Sequence, residues 1–238
     1  MKVPKKILEN IDKSTSFLAN IHLSPDADTM GSAMAVKLAL ESIGKVVEVF
    51  CEDEIPSFAT FLPGIENVHK MSLNEALASF RHDYYLAMDT PIYGLLTRLE
   101  PVPNFPKPIL IIDHHPDASV SGQVSWIETG ASSTAQMVYH LLKKLEIEIN
   151  KDTATCLLFG LLGDTGIFQN LNTNEQVFKV ASDLITLGGD YQQCVLSLAR
   201  SYPFKWLDSW GVMIKKAQLS DDGDFVWVAI NTKGLQKN

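Results

Sequence analysis

The residues of this 238-residue chain that could do chemistry sit where apolar runs stop at an acid. Asp113-His114-His115 follows Ile109-Leu110-Ile111-Ile112, and Asp89 follows Tyr84-Tyr85-Leu86-Ala87-Met88. Asp26 and Asp28 come just after the short run ending at His22, and Asp164 closes the strongly apolar segment 153–162. A strand that ends in one acid and two imidazoles presents metal-binding groups at the carboxyl edge of a sheet, where open α/β sheets place their sites. Together these ends supply six candidate ligands: His22, Asp26, Asp28, Asp89, His114 and Asp164. Imidazole and carboxylate donors without cysteine favour Mn²⁺, with Mg²⁺, Co²⁺ and Zn²⁺ as competitors. Two such ions about 3.5–4 Å apart, sharing a carboxylate, activate water and stabilise the entering and leaving oxygens of a phosphoryl displacement. The chemistry indicated is phosphoester or phosphoanhydride hydrolysis.

Several of these residues have a second reading. Asp28 precedes a predicted helix over 31–43 and serves equally as a helix N-cap or as a ligand, and the two roles are compatible. Gly31 and Ser32 open that helix, where small residues either pack closely or let backbone N–H groups reach a phosphate. Asp89 alone is a turn former or a ligand. In an extended segment neighbouring side chains point to opposite sides, so one of His114 and His115 can bind metal while the other faces substrate. Asp164 ends a helix, where an acid is disfavoured by the helix dipole unless a positive charge compensates. His69, His82 and His140 lie away from any strand-end acid and are read as structural. Gly-x-Ser-x-Gly, Gly-x-x-x-x-Gly-Lys and Gly-x-Gly-x-x-Gly patterns are absent.

The elements that must carry these groups follow from periodicity. Short apolar runs at 18–22, 46–50, 84–88 and 109–112 read as strands, with helix 31–43 between the first two, which is the strand, helix, strand unit of a parallel sheet. Apolar stripes at helical spacing cover 132–145 and 175–187, and Gly188-Gly189 stops the latter. Segment 153–162 reads as a buried helix aiming its last turn at the site. A further helix over 204–217 precedes a strand at 225–230, which has to pair with the main sheet, with another subunit or within a second domain.

Composition excludes several classes. The chain is 46% hydrophobic with no apolar stretch near the roughly 20 residues of a membrane span. Its amino end lacks a signal core, so the expected address is the cytoplasm. Three cysteines far apart suggest neither a disulfide framework nor a zinc knuckle. A net charge of −8 argues against duplex nucleic acid as a partner, although bound cations would reverse the local sign toward anions.

These residues carry a family resemblance. The segment from His22 through Pro25-Asp26-Ala27-Asp28 to Gly31-Ser32, the isolated Asp89, Asp113-His114-His115 and Gly163-Asp164-Thr165-Gly166 resemble, in order, the four motifs of the DHH phosphoesterase superfamily. Phe168 with Asn172-Thr173 resembles the branch of bifunctional oligoribonucleases and 3′-phosphoadenosine 5′-phosphate phosphatases. The resemblance implies a parallel-sheet α/β catalytic domain with flanking helices (1–195), a helical linker (196–220) and the start of a C-terminal DHHA1 domain (221–238), whose Gly-Gly-Gly-His signature is not found here. It implies one Mn²⁺ on His22, Asp26 and Asp89, and a second on Asp28, Asp89, His114 and Asp164, with Asp89 bridging. Asp113 is then expected to orient His114, and His115 to contact the scissile phosphate. The segment Gly130-Ala131-Ser132-Ser133-Thr134 matches a family segment whose role is packing or phosphate approach. Implied substrates are short single-stranded oligonucleotides, linear dinucleotides or 3′-phosphoadenosine 5′-phosphate, in a homodimer. Two other readings stay open, a manganese pyrophosphatase and a metal- and nucleotide-binding module without catalysis.

Overall fold

Strands buried on both faces must be apolar at successive positions, and the sheet explains the runs. The structure, a computed structural model, describes residues 1–200 and 204–230, the side chains of 200 and 204–206 excepted. In chain order it holds α1 (Lys5–Lys13), β1 (Ser16–Ile21), α2 (Ala27–Ser42), β2 (Val46–Cys51), β3 (His69–Lys70), α3 (Leu73–Ser79), β4 (Tyr84–Met88) and α4 (Tyr93–Leu96). It continues with β5 (Ile109–Asp113), β6 (Val124–Ile127), α5 (Thr134–Lys144), α6 (Lys151–Asp164), α7 (Glu175–Thr186) and α8 (Tyr191–Arg200). The six strands form one parallel sheet in the order β3-β2-β1-β4-β5-β6. The α/β fold expected from the sequence is present.

Side chains alternate between the faces. Phe17, Ala19, Ile21, Leu86, Met88, Leu110 and Ile112 join the larger core with α2, α5 and α6, whereas Leu18, Tyr85, Ala87, Ile109 and Ile111 join a smaller one with Leu73, Ala76 and Leu96 of α3 and α4. The middle of α6, Thr153 to Leu162, is buried all round, as is α2 from Ala27 to Lys37. Helices enclosed on every side carry no polar stripe, and the few polar groups here, Asp28, Thr29, Ser32 and Lys37 in α2 and Thr153 and Thr155 in α6, are buried with the rest.

The strand order turns back between β1 and β4. Loops leaving these neighbours diverge, so a crevice opens outside their carboxyl ends. The candidate residues sit there.

The chain divides into two units, Met1–Leu198 and Ala199–Asn238. Helix α8 continues through position 196, where the sequence suggested a linker would begin. The second unit contains α9 (Phe204–Lys216) and an antiparallel hairpin of β7 (Gln218–Leu219) and β8 (Val226–Trp227). The strand expected over 225–230 is therefore two residues long, and its partner is local, across the turn expected at Asp221-Asp222-Gly223-Asp224. Positions 231–238 of the expected second domain lie outside the described residues. Among the described residues no helix is long and apolar enough to cross a membrane.

Candidate metal centre

Each candidate ligand is delivered by the end of an element. His22 follows β1, Asp89 follows β4, His114 follows Asp113 at the end of β5, and Asp164 is the last residue of α6. Asp26 and Asp28 belong to the start of α2, which begins at Ala27, four residues earlier than expected. Asp26 is the N-cap, its carboxylate accepting from Thr29 N at 3.0 Å, so the capping role considered for Asp28 falls to its neighbour. Asp89 has φ of +53° and Ser24 +56°, left-handed values that L-residues adopt at a cost of roughly 1–2 kcal/mol. Both lie where chain leaves the switch-point strands.

The two imidazoles share one design. His22 donates Nδ1–H to Leu23 O at 2.8 Å, which turns Nε2 toward Asp26 Oδ2 at 3.4 Å and Asp89 Oδ2 at 3.6 Å. His114 Nδ1 lies 3.4 Å from Ala131 O, and its Nε2 faces Asp164 Oδ2 at 3.0 Å, Asp89 Oδ1 at 3.6 Å and Asp28 Oδ2 at 4.0 Å. A carbonyl on one ring nitrogen fixes the tautomer and frees the other for a metal. The two oxygens of Asp89 thus look in different directions, Oδ2 toward His22 and Oδ1 toward His114.

Three sets of donor atoms approach within 4.8 Å of one another: His22, Asp26 and Asp89; Asp28, His114 and Asp164; and Asp89, His114 and His115. The electrostatics call for cations. Burial opposes the charged form of His22, yet hydrogen bonds to Asp26 and Asp89 outweigh it and raise its pKa to about 10. Burial, followed by the charges of Asp89 and Asp164, pushes Asp28 well above the usual carboxylate range, and burial raises Asp164 as well. His114 Nε2 is buried with no hydrogen-bond partner among three carboxylates. An orphaned lone pair beside crowded acids fits a divalent ion with nitrogen and oxygen ligands. Side-chain exposure rises from 0% at Asp28 and 3% at Asp89 to 42% at His115 and 55% at Asp26, so approach from solvent is on the His115 and Asp26 side.

Other expectations change. Asp113 Oδ1 accepts from His115, not His114: the backbone N–H at 2.9 Å and Nδ1 at 2.8 Å. The rings of His114 and His115 do not diverge as alternation suggested; their centroids are 4.4 Å apart, because the strand ends at Asp113. Gly31 and Ser32, expected to meet substrate, are inside α2 and fully buried. A Cβ on Gly31 would lie 2.5 Å from Cys156 O, so this glycine serves the crossing of α2 over α6, and Ser32 Oγ lies 3.4 Å from Asp28 Oδ1. His69 bonds Glu48 at 2.9 Å, and His82 bonds Phe80 O at 3.0 Å, away from the centre. His140 joins none of the three donor sets.

The helix α5 supplies residues whose part the sequence did not reveal. Its N-cap is Ser133, and the buried first-turn N–H groups of Thr134 and Ala135 donate to Asp28 Oδ2 and Oδ1 at 2.6 and 2.8 Å. Thr134 Oγ1 bonds Asp89 Oδ1 at 3.2 Å. A helix N-terminus suits a carboxylate. Serines at the start of the 132–145 stripe are residues suited to cap a helix, but nothing in them names Asp28 as the acceptor, since the contact spans over a hundred positions.

A doubly wound sheet with histidines and carboxylates converging at its switch point defines an α/β protein whose site has the donor set of a divalent-ion centre. The DHH family, N-terminal domain, matches residues 17–161, and the chain belongs to that family. It is 32% identical over 171 residues to the bifunctional oligoribonuclease and PAP phosphatase NrnA of Thermus thermophilus, covering 70% of this chain and 48% of that protein. It is 26% identical over 183 residues to the protein of the same name in Bacillus subtilis, covering 76% of this chain and 56% of the relative. A probable manganese-dependent inorganic pyrophosphatase of Archaeoglobus fulgidus is 32% identical over 83 residues, 34% of this chain and 26% of that protein. The crystal structure of an exopolyphosphatase-related protein from Bacteroides fragilis superposes with a TM-score of 0.87 at 20% identity, covering 98% of this chain and 72% of that one, and shares the fold. The chain spans about half the length of the curated relatives it matches.

Proposed function

We propose that this chain is the catalytic part of a metal-dependent phosphoesterase acting on short oligonucleotides, linear dinucleotides or 3′-phosphoadenosine 5′-phosphate. The observation that carries it is the placement of Asp89, whose two oxygens face separate histidines 3.6 Å away on either side. On this reading His22, Asp26 and Asp89 hold one ion, Asp28, Asp89, His114 and Asp164 the other, and residues 1–195 form the catalytic domain. Two Mn²⁺ ions, or Mg²⁺ or Co²⁺, would supply Lewis-acid stabilisation of phosphoryl oxygens and acidify a water.

The chain's own groups do the rest. His22 and His114 present Nε2 because carbonyls hold their other nitrogens. Asp113 fixes His115 with Nδ1–H donated, leaving Nε2 on the open side, where it can contact the scissile phosphate or give a proton to the leaving oxygen. Its hydrogen bond to Asp113 raises the pKa of His115 and favours the protonated ring. The long matches to proteins named oligoribonuclease and PAP phosphatase support nucleotide substrates over pyrophosphate, for which the match covers a third of the chain.

The test is a side-by-side assay of the Mn²⁺-loaded protein on a linear dinucleotide, 3′-phosphoadenosine 5′-phosphate and pyrophosphate. Mononucleotide or phosphate release from the nucleotides is expected. Turnover of pyrophosphate alone would move the assignment to a pyrophosphatase, and two bound ions without any turnover would make the chain a binding module.

A further inference from the structure

We infer that Asn172 is a positioning residue that ties Asp164 to the segment leading into α5, so that one side-chain amide sets the geometry of the second ion's ligands. The inference rests on the two-ion reading above.

Asp164 is the end of α6, and the chain beyond it does not continue in a relaxed conformation. Gly166, Ile167 and Phe168 have φ of +56°, +55° and +67°, three consecutive left-handed residues of which only the first is glycine. L-residues visit this region singly, so a run of three needs ties from outside itself. Thr165 O accepts from Gln169 N at 2.8 Å and Asn170 N at 2.9 Å, which folds the turn back on itself. The side-chain amides of Asn170 and Asn172 then return to the carbonyl of Asp164, at 2.8 and 3.2 Å.

Asn172 alone of these extends further. Its Nδ2 also donates to Ser132 O at 3.0 Å, and Ser132 Oγ donates to Asn172 O at 2.5 Å, a reciprocal pair across 40 positions. Ser132 belongs to the short stretch that supports the other ligands: Ala131 O faces His114 Nδ1, Thr134 N and Ala135 N hold Asp28, and Thr134 Oγ1 holds Asp89. Among the described residues, the Asn172 amide is the side chain that hydrogen-bonds both the end of α6, at Asp164 O, and the approach to α5, at Ser132 O, the two pieces of chain that carry Asp164 and support Asp28 and His114. Ligand-orienting hydrogen bonds of this kind are worth about ten- to a hundredfold in metal affinity. Of the other set, only Asp89 touches this stretch, and through Oδ1, the oxygen that faces His114; its Oδ2 faces His22.

The asymmetry is the test. Wild-type protein, Asn172→Ala and Ser132→Ala are titrated with Mn²⁺ by calorimetry, with electron paramagnetic resonance following the coupled two-ion signal and circular dichroism following the fold. Wild type is expected to take up two ions. In Asn172→Ala one ion binds as in wild type, the other at least about tenfold more weakly, and the coupled signal disappears at ion concentrations that saturate the wild type. Ser132→Ala, which keeps the Asn172 bond to the Ser132 carbonyl, shows the same one-site loss to a smaller degree. A folded Asn172→Ala that binds both ions as wild type does, or weakens both equally, overturns the inference; if that variant does not fold, an unaltered Ser132→Ala overturns it. Fewer than two ions in the wild type removes the two-ion reading itself, and the inference with it.

Discussion

Asp113 holds His115 by two hydrogen bonds to a single oxygen, the backbone N–H at 2.9 Å and the ring Nδ1 at 2.8 Å, while its other oxygen, Oδ2, is buried without a partner. The carboxylate therefore acts on His115 and not on the neighbouring ring of His114, the proposed metal ligand. Asp113→Asn is expected to lower turnover of a dinucleotide by about a hundredfold or more, the scale of a lost acid–base group, with Mn²⁺ content unchanged. Turnover and ion content measured on the same preparation check it. A variant that loses an ion would return Asp113 to the support of His114.

At Gly160, α6 packs closely against both α5 and the start of α2. A Cβ there would lie 2.7 Å from Ala135 Cβ and 2.9 Å from Asp28 Oδ1, and neither neighbour can retreat, since Ala135 N holds that same oxygen. Gly160→Ala is expected to destabilise the protein by about 1–3 kcal/mol, lowering Tm by roughly 2–4 °C for each kcal/mol, and to weaken metal binding. Gly211, inside α9, would meet nothing within 4 Å. Gly211→Ala should leave Tm level or raise it, as helix propensity alone predicts. Thermal melts of the two variants separate close packing from a general intolerance of alanine.

The strands β1, β4 and β5 were legible because a sheet covered on both faces imposes continuous apolar runs, and an acid after such a run stands out. His22, Asp89 and Asp113 could be placed at one edge for that reason. The elements missed are short or weakly patterned: β3 has two residues, α4 has four, and α1 buries only Ile7 and Ile11. Helix α2 starts four residues before the expected Gly31, which is not an entrance but the point of close approach to Cys156 and Gly160. The hold of Thr134 and Ala135 on Asp28, and of Asp113 on His115 in place of His114, depends on where chain ends turn in space. Periodicity carries no record of that.

Asp83 offers a pH-dependent test away from the metal centre. Its carboxylate accepts from Thr15 N and Ser16 N at 2.8 and 3.1 Å, clasping the entrance to β1, and these backbone hydrogen bonds hold its pKa below the ordinary value. A depressed native pKa contributes stability that is present above the unfolded value of about 3.9 and is lost as pH falls through the lower native value. The group is exposed, so the contribution is about 1 kcal/mol or less after screening by solvent. Asp83→Asn should melt below wild type at pH 7, and the gap should close as pH falls from about 4 toward 2. An equal gap at both ends of that range would mean that the charge on Asp83 has no part in the clasp.

Asp89 decides between one centre and two. Its Oδ2 lies 3.6 Å from His22 Nε2 and its Oδ1 3.6 Å from His114 Nε2, with Thr134 Oγ1 at 3.2 Å holding the latter oxygen in place. On the proposed two-ion reading a carboxylate shared in this way is needed by both ions, whereas His22 and Asp164 each serve one. Asp89→Ala is therefore expected to abolish high-affinity binding of both Mn²⁺ ions and with it all turnover, while His22→Ala and Asp164→Ala each lose one. Ion counts on the three folded variants give the answer. Retention of one ion in Asp89→Ala would show that Asp89 is a ligand to a single metal, and that the two sites are held together by the protein frame, through Asp28 and the α5 N-terminus, without a bridging side chain.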